Sequence, residues 1–126
     1  GEKTLDEINE LVEQQATEID TEVAVIQANS EGDLVDFIQK ESSGADGIII
    51  NAGALTHYGL SLRDALLDTN LPVVEVHLSN IYAREEFRQR SVIAPIAKGQ
   101  VTGLGWRGYI AALRTLVAEL RGKAWQ

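Results

Sequence analysis

Glu75 stands between Val74 and Val76 in an otherwise apolar run, Val73-Val74-Glu75-Val76-His77. An isolated buried carboxylate is costly, so this one needs a partner. His77 is two residues on, and side chains at i and i+2 share one face of a strand. A carboxylate fixes the tautomer and orientation of a neighbouring imidazole, which suits a general acid–base histidine. The same spacing also fits a Glu–His pair that only closes a strand end. A third reading is a metal site made of His57, Glu75 and His77, which lacks the clustered spacing of strong metal motifs.

Two polar clusters accompany this pair: Asn51-Ala52-Gly53-Ala54-Leu55-Thr56-His57 after one apolar run, and Leu78-Ser79-Asn80 after another. Asn51 could shape a site or simply form a turn, since Asn tolerates turn geometry. His57 alone reads equally as a solvated loop residue. Tyr58 could offer a phenol or merely pack, and Gly53 and Gly59 permit a tight loop. Ser79-Asn80 reads as the start of a short helical turn running through Ala83-Arg84-Glu85-Glu86-Phe87-Arg88. Free N–H groups at a helix start bind anions, and Arg84 and Arg88, at i and i+4, share a face. Arg–Glu pairing on a solvated face is the plainer alternative. With Arg90 following, this is a local basic spot in an acidic chain, which a small carboxylated ligand would need.

These residues must be positioned by regular elements, and the apolar pattern supplies them. Thr4-Leu5-Asp6-Glu7 is a capping box, followed at helical spacing by Leu5, Ile8, Leu11, Val12, Ala16 and Ile19. Val23-Ala24-Val25-Ile26 reads as a buried strand. Ser30-Glu31-Gly32-Asp33 caps a second helix with Leu34, Val35 and Ile38 on its stripe, and Gly44 marks its stop. Gly47-Ile48-Ile49-Ile50 is apolar throughout, as in a parallel strand covered on both faces. Leu62, Ala65 and Leu66 predict a short helix, Val73–His77 and Gln100–Gly103 are further strands, and Tyr109 to Leu120 a final helix. Alternating helix and strand is the pattern of an open α/β sheet, whose ligands bind beyond the carboxyl ends of the strands. Both polar clusters lie there.

The chain has 126 residues, one domain by length. Its 44% apolar and 24% charged residues are those of a globular chain, excluding a disordered tail, a collagen-like repeat and a disulfide scaffold. Cysteine is absent, so zinc could be held only by His, Asp or Glu. No apolar run approaches the roughly 20 residues of a membrane helix. The first residues carry no apolar leader core, and a cytoplasmic location is expected. Eleven basic residues against nineteen acidic ones leave a net charge of −8, which argues against nucleic-acid binding.

Taken together, these segments closely resemble type II 3-dehydroquinate dehydratase (type II dehydroquinase). The matching stretches are Ile50 to His57, Leu62-Arg63-Asp64-Ala65, Pro72 to Ile81, and Ala83 to Arg88. Gln27 to Gly32 and Gly103 to Tyr109 match more loosely. The resemblance covers essentially the whole chain, in order. It implies a flavodoxin-like open parallel sheet, strand order 2-1-3-4-5. It also implies dehydration of 3-dehydroquinate to 3-dehydroshikimate in the shikimate pathway, the route to aromatic amino acids, with neither metal nor Schiff base. In the family a tyrosine phenolate removes a proton beside the ketone, an enolate forms, and a histidine protonates the departing hydroxyl. His77 matches that acid and Glu75 the carboxylate that orients it. Asn51, His57 and Arg88 match residues holding the substrate's ring hydroxyls. The N–H groups of Leu78 and Ser79, with the Ser79 hydroxyl, match the carboxylate cradle. Asp64 matches a residue reaching a neighbouring subunit's site, in trimers grouped into a dodecamer.

Ala52 and Ser30 depart tolerably from the family pattern; the beginning departs more. The family opens with a strand and a mobile lid bearing an essential arginine and the base tyrosine, which directly precedes a glycine matching Gly1. Residues 1–126 are therefore expected to be one N-terminally incomplete domain lacking its first strand, with the acid half of the mechanism and most of the cradle. Tyr58 does not align with the base. The alternative function is a catalytically dead protein that binds a cyclic carboxylate.

Overall fold

The computed structural model describes residues 3–122; Gly1 lies outside the described residues. The elements follow in the order α1 (Leu5–Glu18), α2 (Glu31–Glu41), β1 (Ile48–Ile50), α3 (Leu60–Asp68), β2 (Val73–His77), α4 (Glu86–Gln89), β3 (Gly99–Thr102) and α5 (Arg107–Leu120), with short 3-10 turns between. The capping box forms as its residues predict: Thr4 Oγ1 accepts from the Glu7 N–H at 3.1 Å while the Glu7 carboxylate reaches back to Thr4. Ser30 caps α2 through the Asp33 N–H. The start of α3 has no cap of its own, because Gly59 precedes it. Glu31, at the start of α2, supplies one instead by accepting from the Leu62 N–H at 2.9 Å. Gly59 is required by a close approach: a Cβ there would meet the Leu55 carbonyl oxygen at 2.8 Å.

The three strands lie parallel in chain order, with Ile50 opposite Glu75 and Glu75 opposite Gln100. All five residues of the central β2 are buried. Their side chains alternate between two cores. Val73 joins Ile38, Ile50, Leu62, Leu66 and Ile93 beneath α2 and α3. Val74 and Val76 join Ala112 and Leu116 of α5 on the opposite face. Helix α1 packs outside α5 through Ala16, Leu113 and Val117. The ends of these two helices are tied by Arg121, whose guanidinium donates to the Ile19 and Asp20 carbonyls at 2.7 Å.

Two expectations are corrected here. Val23–Ile26 has no regular secondary structure and is not a strand. A strand needs a hydrogen-bonded neighbour, and among the described residues the sheet consists of β1, β2 and β3 alone. Val23 packs against the α1–α5 core, whereas Val25 and Ile26 are 40% and 37% exposed. The turn after Ser79 is likewise no single helix. A 3-10 turn at Ile81–Ala83 stops at Arg84 and Glu85, both extended, before α4 begins. Arg84 and Arg88 are therefore not related by helical spacing.

Leu62 is fully buried between α3 and the sheet, while Leu67 on the same helix is 52% exposed. Leu62→Ala should cost about 2–5 kcal/mol of unfolding free energy, and Leu67→Ala under about 0.5 kcal/mol, in denaturant titrations.

Candidate active site

The carboxyl ends of β1 and β2 open into a cleft of about 360 Å³. Asn51, His57, His77, Leu78, Ser79 and Arg88, all singled out from sequence, line it together with Gly53, Tyr58 and Arg84. Glu75 lies directly behind His77. Asp64 is the exception: it is exposed on α3 and does not line this cleft. A wider groove of about 480 Å³ runs between α1 and α5, away from both polar clusters. It is mainly apolar and has neither histidine nor loop amides at a strand end, so the smaller cleft is where the chemistry converges.

Each histidine is held through one nitrogen. Buried His77 donates from Nε2 to Glu75 Oε2 at 2.8 Å, since an ionised carboxylate can only accept. His57 donates from Nδ1 to the Arg90 carbonyl at 2.6 Å. The ring atoms left for a ligand are thus Nδ1 of His77 and Nε2 of His57. Glu75 itself is 0% exposed. It also accepts from the Ser91 hydroxyl at 2.5 Å and from Gln100 Nε2 at 3.0 Å. Burial alone pushes this carboxyl up. The hydrogen bonds from His77 and Ser91, the charge of His77 and the bond from Gln100 outweigh it and hold Glu75 below its ordinary value.

Asn51 forms the turn its residue type allows and also lines the cleft. Its Oδ1 accepts from the Gly53 N–H at 3.1 Å, forming a turn in which Gly53 takes a φ of +56°. Its Nδ2 donates to the Tyr109 hydroxyl at 2.9 Å. Burial pushes the Tyr109 phenol up, and the Asn51 bond offsets this in part. Tyr58 lines the cleft at 64% exposure.

After β2 the chain turns at Asn80, whose Oδ1 accepts from the Tyr82 N–H. The loop after β3 braces this turn: Gly105 N–H donates to the Leu78 carbonyl at 2.8 Å and Thr102 Oγ1 to the Ser79 carbonyl at 3.0 Å. Arg84 Nη2 donates to Ser79 Oγ at 2.5 Å. The Ser79 hydroxyl then keeps its own proton for an anion. Arg88 lines the cleft while pairing with Glu85 at 3.0 Å. His57, Glu75 and His77 do not form a metal site; no group of three or more His, Asp or Glu able to hold a metal occurs among the described residues.

Ser91, Gln100 and Tyr109 were not singled out from sequence. The need of Glu75 for partners was visible, but not which residues a β3 register and a loop between Arg90 and Ala94 would bring to it.

Residues 1–117 match the family described as dehydroquinase class II. A 3-dehydroquinate dehydratase of Roseiflexus castenholzii is 56% identical over 117 residues, covering 93% of this chain and 74% of that protein. One from Bacillus subtilis is 48% identical over 124 residues, covering 98% of this chain and 84% of that protein. Among solved structures, the type II dehydroquinase of Butyrivibrio crossotus superposes with a TM-score of 0.88 at 39% identity, covering 91% of this chain and 81% of that one. The fold, the cleft at the strand ends and these similarities agree: the chain belongs to the class II dehydroquinase family.

Proposed function

We propose that the protein dehydrates 3-dehydroquinate to 3-dehydroshikimate, with His77 as the general acid. Family membership supports the reaction. The observation that carries the assignment of the acid is the buried Glu75–His77 pair at the floor of the cleft. The ionised carboxylate holds the ring by Nε2 and lets it carry a second proton on Nδ1, on the cleft side. That proton goes to the departing hydroxyl as the enolate collapses, and water leaves.

The remaining contacts fit a small polyhydroxylated carboxylate. His57 offers Nε2 as an acceptor for a ring hydroxyl, because Nδ1 is committed to the Arg90 carbonyl. Asn51 and Arg88 face the same space and hold further hydroxyls. The substrate carboxylate sits against the Leu78 and Ser79 N–H groups and the Ser79 hydroxyl, with Arg84 behind it supplying positive charge. No metal or organic cofactor takes part in this scheme. Asp64 reaches a neighbouring subunit in an assembly of trimers grouped into a dodecamer; its exposure outside its own cleft supports this reading. None of the helices among the described residues is long and apolar enough to cross a membrane.

In the intact protein, His77→Ala should lower kcat for 3-dehydroshikimate formation about 10²- to 10⁴-fold, the usual contribution of a positioned acid, with an unchanged circular dichroism spectrum. An active His77→Ala variant would sink the assignment. Tight binding of 3-dehydroquinate by the wild type without turnover would instead favour the binding-protein reading. Light scattering checks the assembly, for which a monomer is the contrary result.

Glu75 also predicts an acid-sensitive stability. Its folded value lies below the ordinary 4.5, so in that window the unfolded chain binds more protons and stability rises with pH. The contribution is fully present above 4.5 and is lost as pH falls through the depressed value. Denaturation midpoints measured downward from neutral pH should therefore fall below that point, and Glu75→Gln should flatten this part of the profile.

A further inference from the structure

Neither Ser91 nor Gln100 lines the cleft, yet both end on the carboxylate that holds His77. Their own hydrogen bonds restrict what they can offer it. Ser91 Oγ accepts from the Ile93 N–H at 3.1 Å and the Ala94 N–H at 2.9 Å, at the start of the 3-10 turn Ala94–Ile96. With its lone pairs so engaged, the hydroxyl has its proton left to give, and gives it to Glu75 Oε2. Gln100 lies directly opposite Glu75 on β3. Its Oε1 accepts from the Tyr82 hydroxyl at 2.7 Å, which turns the Nε2 end toward Glu75 Oε1. Both neighbours of the carboxylate are thus committed donors.

This matters for the shared proton of the Glu75–His77 bond. That proton has two places: on His77 Nε2, facing an ionised carboxylate, or on Glu75, facing a bare ring nitrogen. Ser91 and Gln100 donate to the carboxylate and favour its ionised form, since hydrogen bonds to the charged form stabilise that form. Only with the proton on Nε2 does a second proton on Nδ1 make the ring a cation beside an anion. With it on Glu75, the ring holds a single proton and the pair is neutral.

We propose that Ser91 and Gln100, with Tyr82 fixing the Gln100 amide, are positioning residues that keep the shared proton on His77 and so keep Nδ1 charged for proton delivery. The kinetic part of this inference rests on His77 being the acid of 3-dehydroquinate dehydration; the tautomer part does not.

The test uses the intact protein, with Gln100→Leu and Ser91→Ala beside the wild type. Both should lower kcat about tenfold or more, the loss expected from removing one hydrogen bond to a charged group, while KM stays within about twofold. Ser91→Thr, which keeps the hydroxyl, should restore kcat. In ¹⁵N spectra of the histidine ring, wild-type His77 should show a protonated Nε2, and each donor-removing variant should shift Nε2 toward the unprotonated position. Ser91→Ala strips a partner from two backbone N–H groups and could disturb folding; Gln100→Leu, on a partly exposed strand position, serves independently. Folded variants with unchanged kcat and an unchanged Nε2 signal would overturn the proposal. If the wild type produces no 3-dehydroshikimate, the functional reading fails, and the Nε2 signal alone decides the positioning role.

Discussion

A carboxylate buried in the central strand of the sheet is the constraint around which the site is organised. Ionised and stripped of water, Glu75 would be strongly unfavourable without donors. The fold surrounds it with three: His77 from its own strand, Gln100 from the adjacent strand and Ser91 from the loop after α4. Each is held by a further hydrogen bond or by the parallel ladder. The carboxylate thereby gathers one strand, its neighbour and a loop around a single point. Removing its charge would leave three oriented donors with less to orient them.

The same constraint explains the division of labour across β2. Alternation sends Val74 and Val76 into the apolar core under α5, and Val73 into the core under α2 and α3. Glu75 and His77 share the face of Val73 but lie nearer the carboxyl end, where the helices give way to loops. The strand thus passes from packing to chemistry along one face. Glu31 supports this geometry at a distance, because its cap on α3 fixes the helix that follows the Asn51–His57 loop. Charge follows a similar logic: an overall net charge of −8 repels a carboxylated ligand, and Arg84 and Arg88 give the cleft its local positive character.

Much of this was legible in the residues because it depends on local chemistry. Capping boxes, helical stripes and apolar runs are short-range patterns, and α1, α2, β1, β2, β3 and α5 lie where those patterns put them. Val23–Ile26 is the instructive exception. Its composition is that of a strand, but a strand is a relation between two chain segments, and composition names no partner. The break at Arg84 and Glu85 was hidden for a related reason. Helical spacing was visible there, whereas the side chains that end the turn act through contacts specific to this loop, such as the Gln89 amide donating to the Arg84 carbonyl.

The sequence by itself determined the chemical inventory: a carboxylate and a histidine two residues apart on a strand, a second histidine and an asparagine after another strand, and a basic spot in an acidic chain. It also determined the starts of α1 and α2, since each follows from a capping residue and the few residues after it. Only the tertiary structure decided how those groups are used. It selected Nε2 of His77 and Nδ1 of His57 as the anchored nitrogens, brought Ser91 and Gln100 to Glu75 and Tyr109 to Asn51, and left Asp64 outside the cleft. Those outcomes rest on strand register and on loops meeting across 16 to 58 residues of chain, and side-chain pairing over such distances is set by packing of the whole domain.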